Sequence, residues 1–295
     1  MSELTKRIIV AIIGIPVLFT VTYLGVIPFT IAIAIVSSLA LYEFYNIAEK
    51  KGYPTFKVFG ILLGLIPFVS ILAVHIFEDF YGGMATLSFM FGLIISFIPL
   101  VVTVTLLLVL FSKQQNAIAS IGTMFTGIFY ISCSLSALVL IRYSTLNWQE
   151  TTGYENSGFF VIVMFCSIWI CDTAAYFIGR KFGKHKLMER VSPKKSVEGA
   201  IAGFIAATVF FPIALYFLLP KFNIIYSLIL GLTVGIFGQI GDLIESKIKR
   251  DADVKDSSNL IPGHGGVLDR FDSIIFVSPI IFTIIVISEI FFKGL

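Results

Sequence analysis

Residues 261–292 read IPGHGGVLDRFDSIIFVSPIIFTIIVISEIFF. A glycine stretch with one histidine runs into an Asp-Arg-x-Asp cluster, and the chain from 274 to 292 is then almost wholly apolar. Crossing a bilayer takes about 20 mostly apolar residues, so this segment reads as a membrane span with charged groups at its mouth. The same reading repeats upstream. Apolar runs bounded by charge, Gly or Pro fall near 8–25, 27–47, 57–75, 87–111, 117–141, 158–179, 200–219 and 223–245. With the last segment they make nine expected spans. Of the 295 residues, 57% are hydrophobic and 13% charged, half the charged fraction of about 25% usual in soluble domains. The expected fold is all-α, a polytopic integral membrane protein with about nine transmembrane helices. The basic start and apolar run of MSELTKRIIVAIIGIPVLFTVTYLG have no small-x-small cleavage site behind them, and read as a retained first helix.

Charge sets the expected orientation. With the N-terminus cytoplasmic and the spans alternating, 18 of the 21 Lys and Arg residues fall on the cytoplasmic side. Arg142, Lys221 and Lys293 remain outside. The bias matches the positive-inside rule. It also conceals, under a net charge of +3, a basic face suited to anionic headgroups or nucleotides. Loops carrying Ser192 and Ser258 are expected in the cytoplasm, and Ser157 in an outer loop. The three cysteines, Cys133, Cys166 and Cys171, lie inside apolar runs without ligand spacing, so neither a disulfide nor a zinc site is read from them.

The polar residues divide the chain. Residues 1–157 read as scaffold, with Glu43 an interfacial anchor near Lys50 and Lys51. Residues 158–295 read as the catalytic half. There Asp172 sits inside a span, where a carboxylate needs a partner or a polar cavity, and Tyr176 follows one turn later. In RVSPKKSVEGA, Ser192 and Pro193 read as a helix start, and Lys194, Lys195, Ser196 and Glu198 follow at a span's mouth. Hydroxyls, ammonium groups and free N–H groups there suit phosphate as well as they suit lipid headgroups. In GQIGDLIESKIKR, Asp242, Glu245, Ser246 and Lys249 share one helical stripe, and Gly238 and Gly241 admit a close neighbour. That stripe fits a divalent cation, or a plain helix end paired by Glu245 and Lys249. Asp269 and Asp272 project to one side of the last helix, with Arg270 turned away and His264 on the mouldable loop. If Asp242 comes near that pair, three carboxylates with phosphate oxygens can hold one or two cations, Mg²⁺ being the usual one.

The run from Ser246-x-Ile-Lys-Arg through Lys255-Asp256, Ile261-Pro-Gly-His-Gly-Gly and Asp269-Arg-Phe-Asp272 resembles the signature of the phosphatidate cytidylyltransferases. The stretch from Asp172 to Gly199 is similar to the same family. The resemblance implies transfer of a cytidylyl group from CTP to phosphatidic acid, with Mg²⁺ and release of pyrophosphate. It implies a homodimer in the cell membrane. On that reading Asp242, Asp269 and Asp272 bind metal, while Lys194, Lys195, Lys249 and Arg270 meet CTP or lipid phosphate. Ser192 and Ser196 belong with those phosphate contacts, His264 is a phosphate contact or a hinge, and Asp172 shapes the cavity. No nucleic acid is expected. Two rivals remain open: a CTP-dependent kinase or cytidylyltransferase of an isoprenoid-type lipid, and an ion transporter using the acids as a relay.

Overall fold

The computed structural model describes residues 3–81, 83–113, 116–144, 154–220, 222–263 and 265–291. Ten α-helices run in order: α1 (Glu3–Leu24), α2 (Val26–Lys50), α3 (Lys57–Tyr81), α4 (Gly83–Phe111), α5 (Ala117–Phe125), α6 (Ser134–Tyr143), α7 (Tyr154–Phe182), α8 (Val197–Leu218), α9 (Ile224–Asp251) and α10 (Leu268–Phe291). A π-helical segment, Thr126–Cys133, joins α5 to α6 as one rod. Between α7 and α8 lies a small antiparallel hairpin, β1 (Lys186–Met188) with β2 (Ser192–Ser196).

Seven helical stretches among the described residues are long and apolar enough to cross a membrane, and two shorter apolar ones, Ile8–Leu24 and Ile95–Phe111, accompany them. The all-α polytopic class holds. Among the described residues, seven of the nine expected segments reach full span length. α9 and α10 extend beyond the expected spans at the end facing each other, so Asp269 and Asp272 lie within the first turns of a helix rather than ahead of it.

Close crossings of backbone follow from small residues. A Cβ on Gly199 would stand 2.6 Å from the Ala175 carbonyl, and one on Gly241 would stand 2.8 Å from the Asp272 carbonyl. α7 with α8, and α9 with α10, are thereby held at distances that larger side chains forbid. The second crossing sets Asp242 beside the start of α10. The last helix also packs on α2, α6 and the π-helical segment, so the two halves of the chain share an interface.

Polar contacts sort the helix ends into two groups. At one end, Arg142 is buried, not a loop charge as its position outside the expected spans implied. Its Nε donates to the Thr22 carbonyl at 2.9 Å and its Nη1 to Ser157 Oγ at 2.9 Å, joining α6 to α1 and α7. Ser157 is likewise buried in α7 rather than lying in an outer loop, because the guanidinium needs its hydroxyl. At the opposite end, Lys51 pairs with Asp251 at 3.5 Å and Arg250 Nε donates to the Val191 carbonyl at 3.4 Å. The α2–α3 turn, the hairpin and the α9–α10 loop therefore gather at one end of the bundle.

The hairpin corrects a second expectation. Ser192 is no helix cap; Ser192–Ser196 is a strand, and α8 starts at Val197. Ser196 is the true N-cap, accepting from the Gly199 N–H at 3.2 Å. Pro193, which lacks an N–H, is tolerated in a two-stranded ribbon where one edge is unpaired. The Glu198 carboxylate accepts from the Lys184 and His185 amides and meets His185 Nδ1 at 2.6 Å, tying the hairpin's base to α8.

These groupings set a topology test. In a variant lacking Cys133, Cys166 and Cys171, single cysteines at the exposed positions Lys194 and Asn259 should label alike with a membrane-impermeant thiol reagent, and a cysteine at exposed Pro220 oppositely. The charge bias predicts that Lys194→Cys and Asn259→Cys react only once cells are opened. Labelling of either in intact cells inverts the orientation.

Candidate active site

Two polar clusters occupy the end of the bundle where the hairpin and the α9–α10 loop meet. The open cluster forms around Lys195 on β2, which ion-pairs with Asp242 on α9. Both side chains are about a third exposed. Ser246 Oγ, one turn on, donates to Asp242 at 3.4 Å. Asp272 on α10 and Asp172 on α7 lie close enough that their charges act on Asp242, Lys195 and one another, and the Arg270 charge acts on Asp172. Four separate elements thus converge: α7, β2, α9 and α10. Tyr176, one turn on from Asp172, turns to Arg180 instead, its hydroxyl accepting from the guanidinium at 3.1 Å.

The closed cluster lies beside it. Lys249 Nζ stands between Glu245 at 2.6 Å and Asp269 at 2.7 Å. Glu245 is 1% exposed and Lys249 12%, so the Glu245–Lys249 pair is no solvated helix end. Asp269 further accepts from the Ser257 amide at 3.0 Å and the Gly266 amide at 2.8 Å. A charge this enclosed persists only with such a set of donors.

Glu43 is the residue that sequence reasoning misplaced. It is fully buried, away from Lys50 and Lys51, and its carboxylate accepts from the Ser257 and Ser258 hydroxyls and from the Val267 and Leu268 amides at 2.5–3.0 Å. The available signal was an acid inside an apolar run, which requires an internal partner. Tyr130, in the π-helical segment, was also missed: its buried hydroxyl has no hydrogen-bond partner among the described residues, and it lies near Asp272 and Glu245. π-Helical turns often mark functional sites.

The sequence-derived candidates therefore separate. Asp172, Lys195, Asp242 and Asp272 come together in the open cluster, with exposed Arg270 next to it; Lys249 and Asp269 lock the loop. Ser196 is spent on capping α8, Ser192 is half-buried in β2, and Lys194 is exposed on the same strand. His264 lies outside the described residues.

Three acids against two cations leave the open cluster with an excess of negative charge and hard oxygen donors, a composition that fits Mg²⁺. Among the described residues no three His, Cys, Asp or Glu side chains stand close enough to hold a metal by themselves. Mg²⁺ does not need them, since it is commonly held by one or two carboxylates with substrate phosphates and water. Asp242 and Asp272 are the best-placed pair. Asp269 is already occupied by Lys249 and two amides.

The fold is thus a polytopic apolar bundle with a half-open cluster of acidic and basic side chains at one end. Residues 5–288 match the cytidylyltransferase family, and the chain belongs to it. A phosphatidate cytidylyltransferase of Synechocystis sp. is 33% identical over 301 residues, covering 96% of this chain and 97% of that protein. One from Bacillus subtilis is 32% identical over 284 residues with the same coverages, and one from Staphylococcus haemolyticus is 40% identical over 145 residues, or 49% of this chain and 56% of that protein.

The two clusters predict opposite mutant phenotypes. Lys249→Met leaves two enclosed carboxylates facing each other, and breaking a buried pair in this way costs about 3–5 kcal/mol. The purified protein should lose several degrees of thermal stability. Asp242→Asn disturbs a partly exposed pair worth at most about 1 kcal/mol. It should melt near the wild type yet lose activity. Equal melting shifts would contradict the division.

Proposed function

We propose that this chain is a CTP:phosphatidate cytidylyltransferase, a nucleotidyltransferase that makes CDP-diacylglycerol and pyrophosphate for phospholipid biosynthesis. The observation that carries the reading is the convergence of Asp172, Lys195, Asp242 and Asp272 at one end of an apolar bundle, in a chain that belongs to the cytidylyltransferase family. The acceptor is a lipid phosphate. Its tails lie in the bilayer while its headgroup meets a soluble nucleotide at the surface, so a reaction site belongs at a helix end and not at the membrane midplane.

The chemistry asks little of proton transfer. An anionic phosphate oxygen of phosphatidate attacks the α-phosphorus of CTP; the new P–O bond forms as the bond from the α-phosphorus to the β-phosphate bridging oxygen breaks. Pyrophosphate leaves carrying the electron pair, and no general base is required. Positioning and charge stabilisation are the main demands. Lys195, with Arg270 and Lys194 nearby, would face the triphosphate and the growing charge of the leaving group. Asp242 and Asp272 would hold Mg²⁺, which when bound neutralises phosphate oxygens and sets their geometry. Asp172 would balance the charge of Lys195 and Arg270. Residues 158–295 supply these groups, and residues 1–157 supply Glu43.

The site would face the cytoplasm of a plasma membrane, where CTP is, and the protein would work as a homodimer, as the family resemblance implies. A proton or ion relay calls for acids spaced through the membrane depth. Here Asp172, Asp242 and Asp272 lie near enough for their charges to act on one another, which favours the transferase.

The test is incubation of the purified protein with CTP and phosphatidate in mixed micelles. A cytidylyl lipid should form, stop with EDTA and return with excess Mg²⁺. Formation of only a phosphorylated lipid, or turnover of an isoprenoid lipid in place of phosphatidate, would replace the reading. Asp272→Asn should insert normally and lose about 10²-fold or more in turnover, as removal of one charge-stabilising contact commonly does.

A further inference from the structure

We infer that Glu43 is a positioning residue for the reaction: from α2 it caps the N-terminus of α10 and so fixes the turn that carries Asp269 and Asp272. The activity readout rests on the transferase reading above; the cap itself rests on geometry alone.

The first N–H groups of a helix have no partner within it and are normally met by a neighbouring side chain in the chain. At the start of α10 the partner comes from another helix. The Val267 amide donates to one Glu43 oxygen at 3.0 Å and the Leu268 amide to the other at 2.8 Å. Each oxygen also takes one hydroxyl, Ser258 at 2.5 Å on the first and Ser257 at 2.9 Å on the second. A negative charge at this position is further favoured by the helix dipole. Asp269 takes the donors that Glu43 leaves, the amides of Ser257 and Gly266. Two carboxylates from opposite halves of the chain thus divide the polar groups of one loop between them.

Gly266 completes the fit. A Cβ there would collide first with the Ser257 hydroxyl that donates to Glu43, and would stand 2.5 Å from a Glu43 carboxylate oxygen and 2.7 Å from its carboxyl carbon. No larger residue leaves room for the carboxylate to reach the helix start. The loop and α10 are therefore shaped around Glu43, and the direction in which Asp272 leaves the helix depends on it.

Glu43→Gln is the discriminating variant. Its side chain keeps one oxygen, and whichever way the amide turns, its NH₂ faces the N–H of either Val267 or Leu268. The double variant S257A/S258A removes only the hydroxyls. In full-length protein in its membrane, normalised for amount, E43Q should lower kcat about tenfold or more while the phosphatidate KM stays within about twofold. S257A/S258A should stay within about threefold of wild-type kcat, since both amides remain capped. G266A should follow E43Q, and carries the same readouts if E43Q does not accumulate. Independently of activity, a cysteine at Asn259, in a chain without the three native cysteines, should label faster when E43Q is added, in the absence of substrates. Wild-type kcat in E43Q and G266A, equal loss in S257A/S258A, or unchanged Asn259→Cys labelling would each overturn the assignment. If the wild type makes no cytidylyl lipid, the transferase reading falls and the labelling alone decides the cap.

Discussion

A carboxylate taken out of water into a membrane bundle must find donors inside the protein, and Glu43 finds four of them on a single loop. Each hydrogen bond to a charged group contributes about 1.5–3 kcal/mol, and a buried donor left without a partner costs about 1–3 kcal/mol. Those magnitudes make the loop and the carboxylate mutually dependent. Ser257, Ser258 and the turn at 266–268 hold their places because Glu43 is there, and Glu43 remains buried because they satisfy it. The first turns of α10 inherit that precision. Asp269 is fixed between Lys249 and two loop amides, and one turn later Asp272 reaches the crossing with α9 that Gly241 permits.

The site has a locked side and an open side, which differ in exposure. On the locked side the charges are enclosed, with Lys249 shared between Glu245 and Asp269. On the open side Lys195 and Asp242 remain about a third exposed, with two more acids close by. Rigid support beneath exposed charge is the arrangement that phosphoryl and nucleotidyl transfer needs, since the catalytic gain comes from holding charges where the transition state develops them. Ground-state binding alone would not require the locked layer.

Much of this was legible in the sequence. The spans were readable because a bilayer demands unbroken apolar length. The members of the open cluster were readable as candidates because charge is expensive in or at the mouth of a span, although the sequence grouped Asp242 with Asp269 as well as Asp272. Gly241 was readable as a point of close approach, and the neighbour proved to be the Asp272 backbone. Three features were not readable, each for a physical reason. The hairpin at 186–196 is held by a few local bonds with no apolar alternation, so Ser-Pro looked like a helix start when the cap was Ser196. Asp269 and Asp272 share a spacing that suits one cation, but Asp269 is taken up by Lys249 and its own loop while Asp272 faces groups from α7, β2 and α9. Glu43 looked like an interfacial anchor and Arg142 like a charge outside the spans, because a residue's own neighbourhood in the chain does not reveal a partner more than a hundred positions away.

The central claim is that the start of α10 is held before any substrate arrives. Hydrogen–deuterium exchange of the substrate-free protein in nanodiscs tests it most directly at the amides of Val267 and Leu268. Both donate to a buried carboxylate, so they should exchange as slowly as amides in the interior of α2. Exchange of both at the earliest time point, with protection appearing only when CTP is added, would show that the substrate orders this turn and would contradict the account.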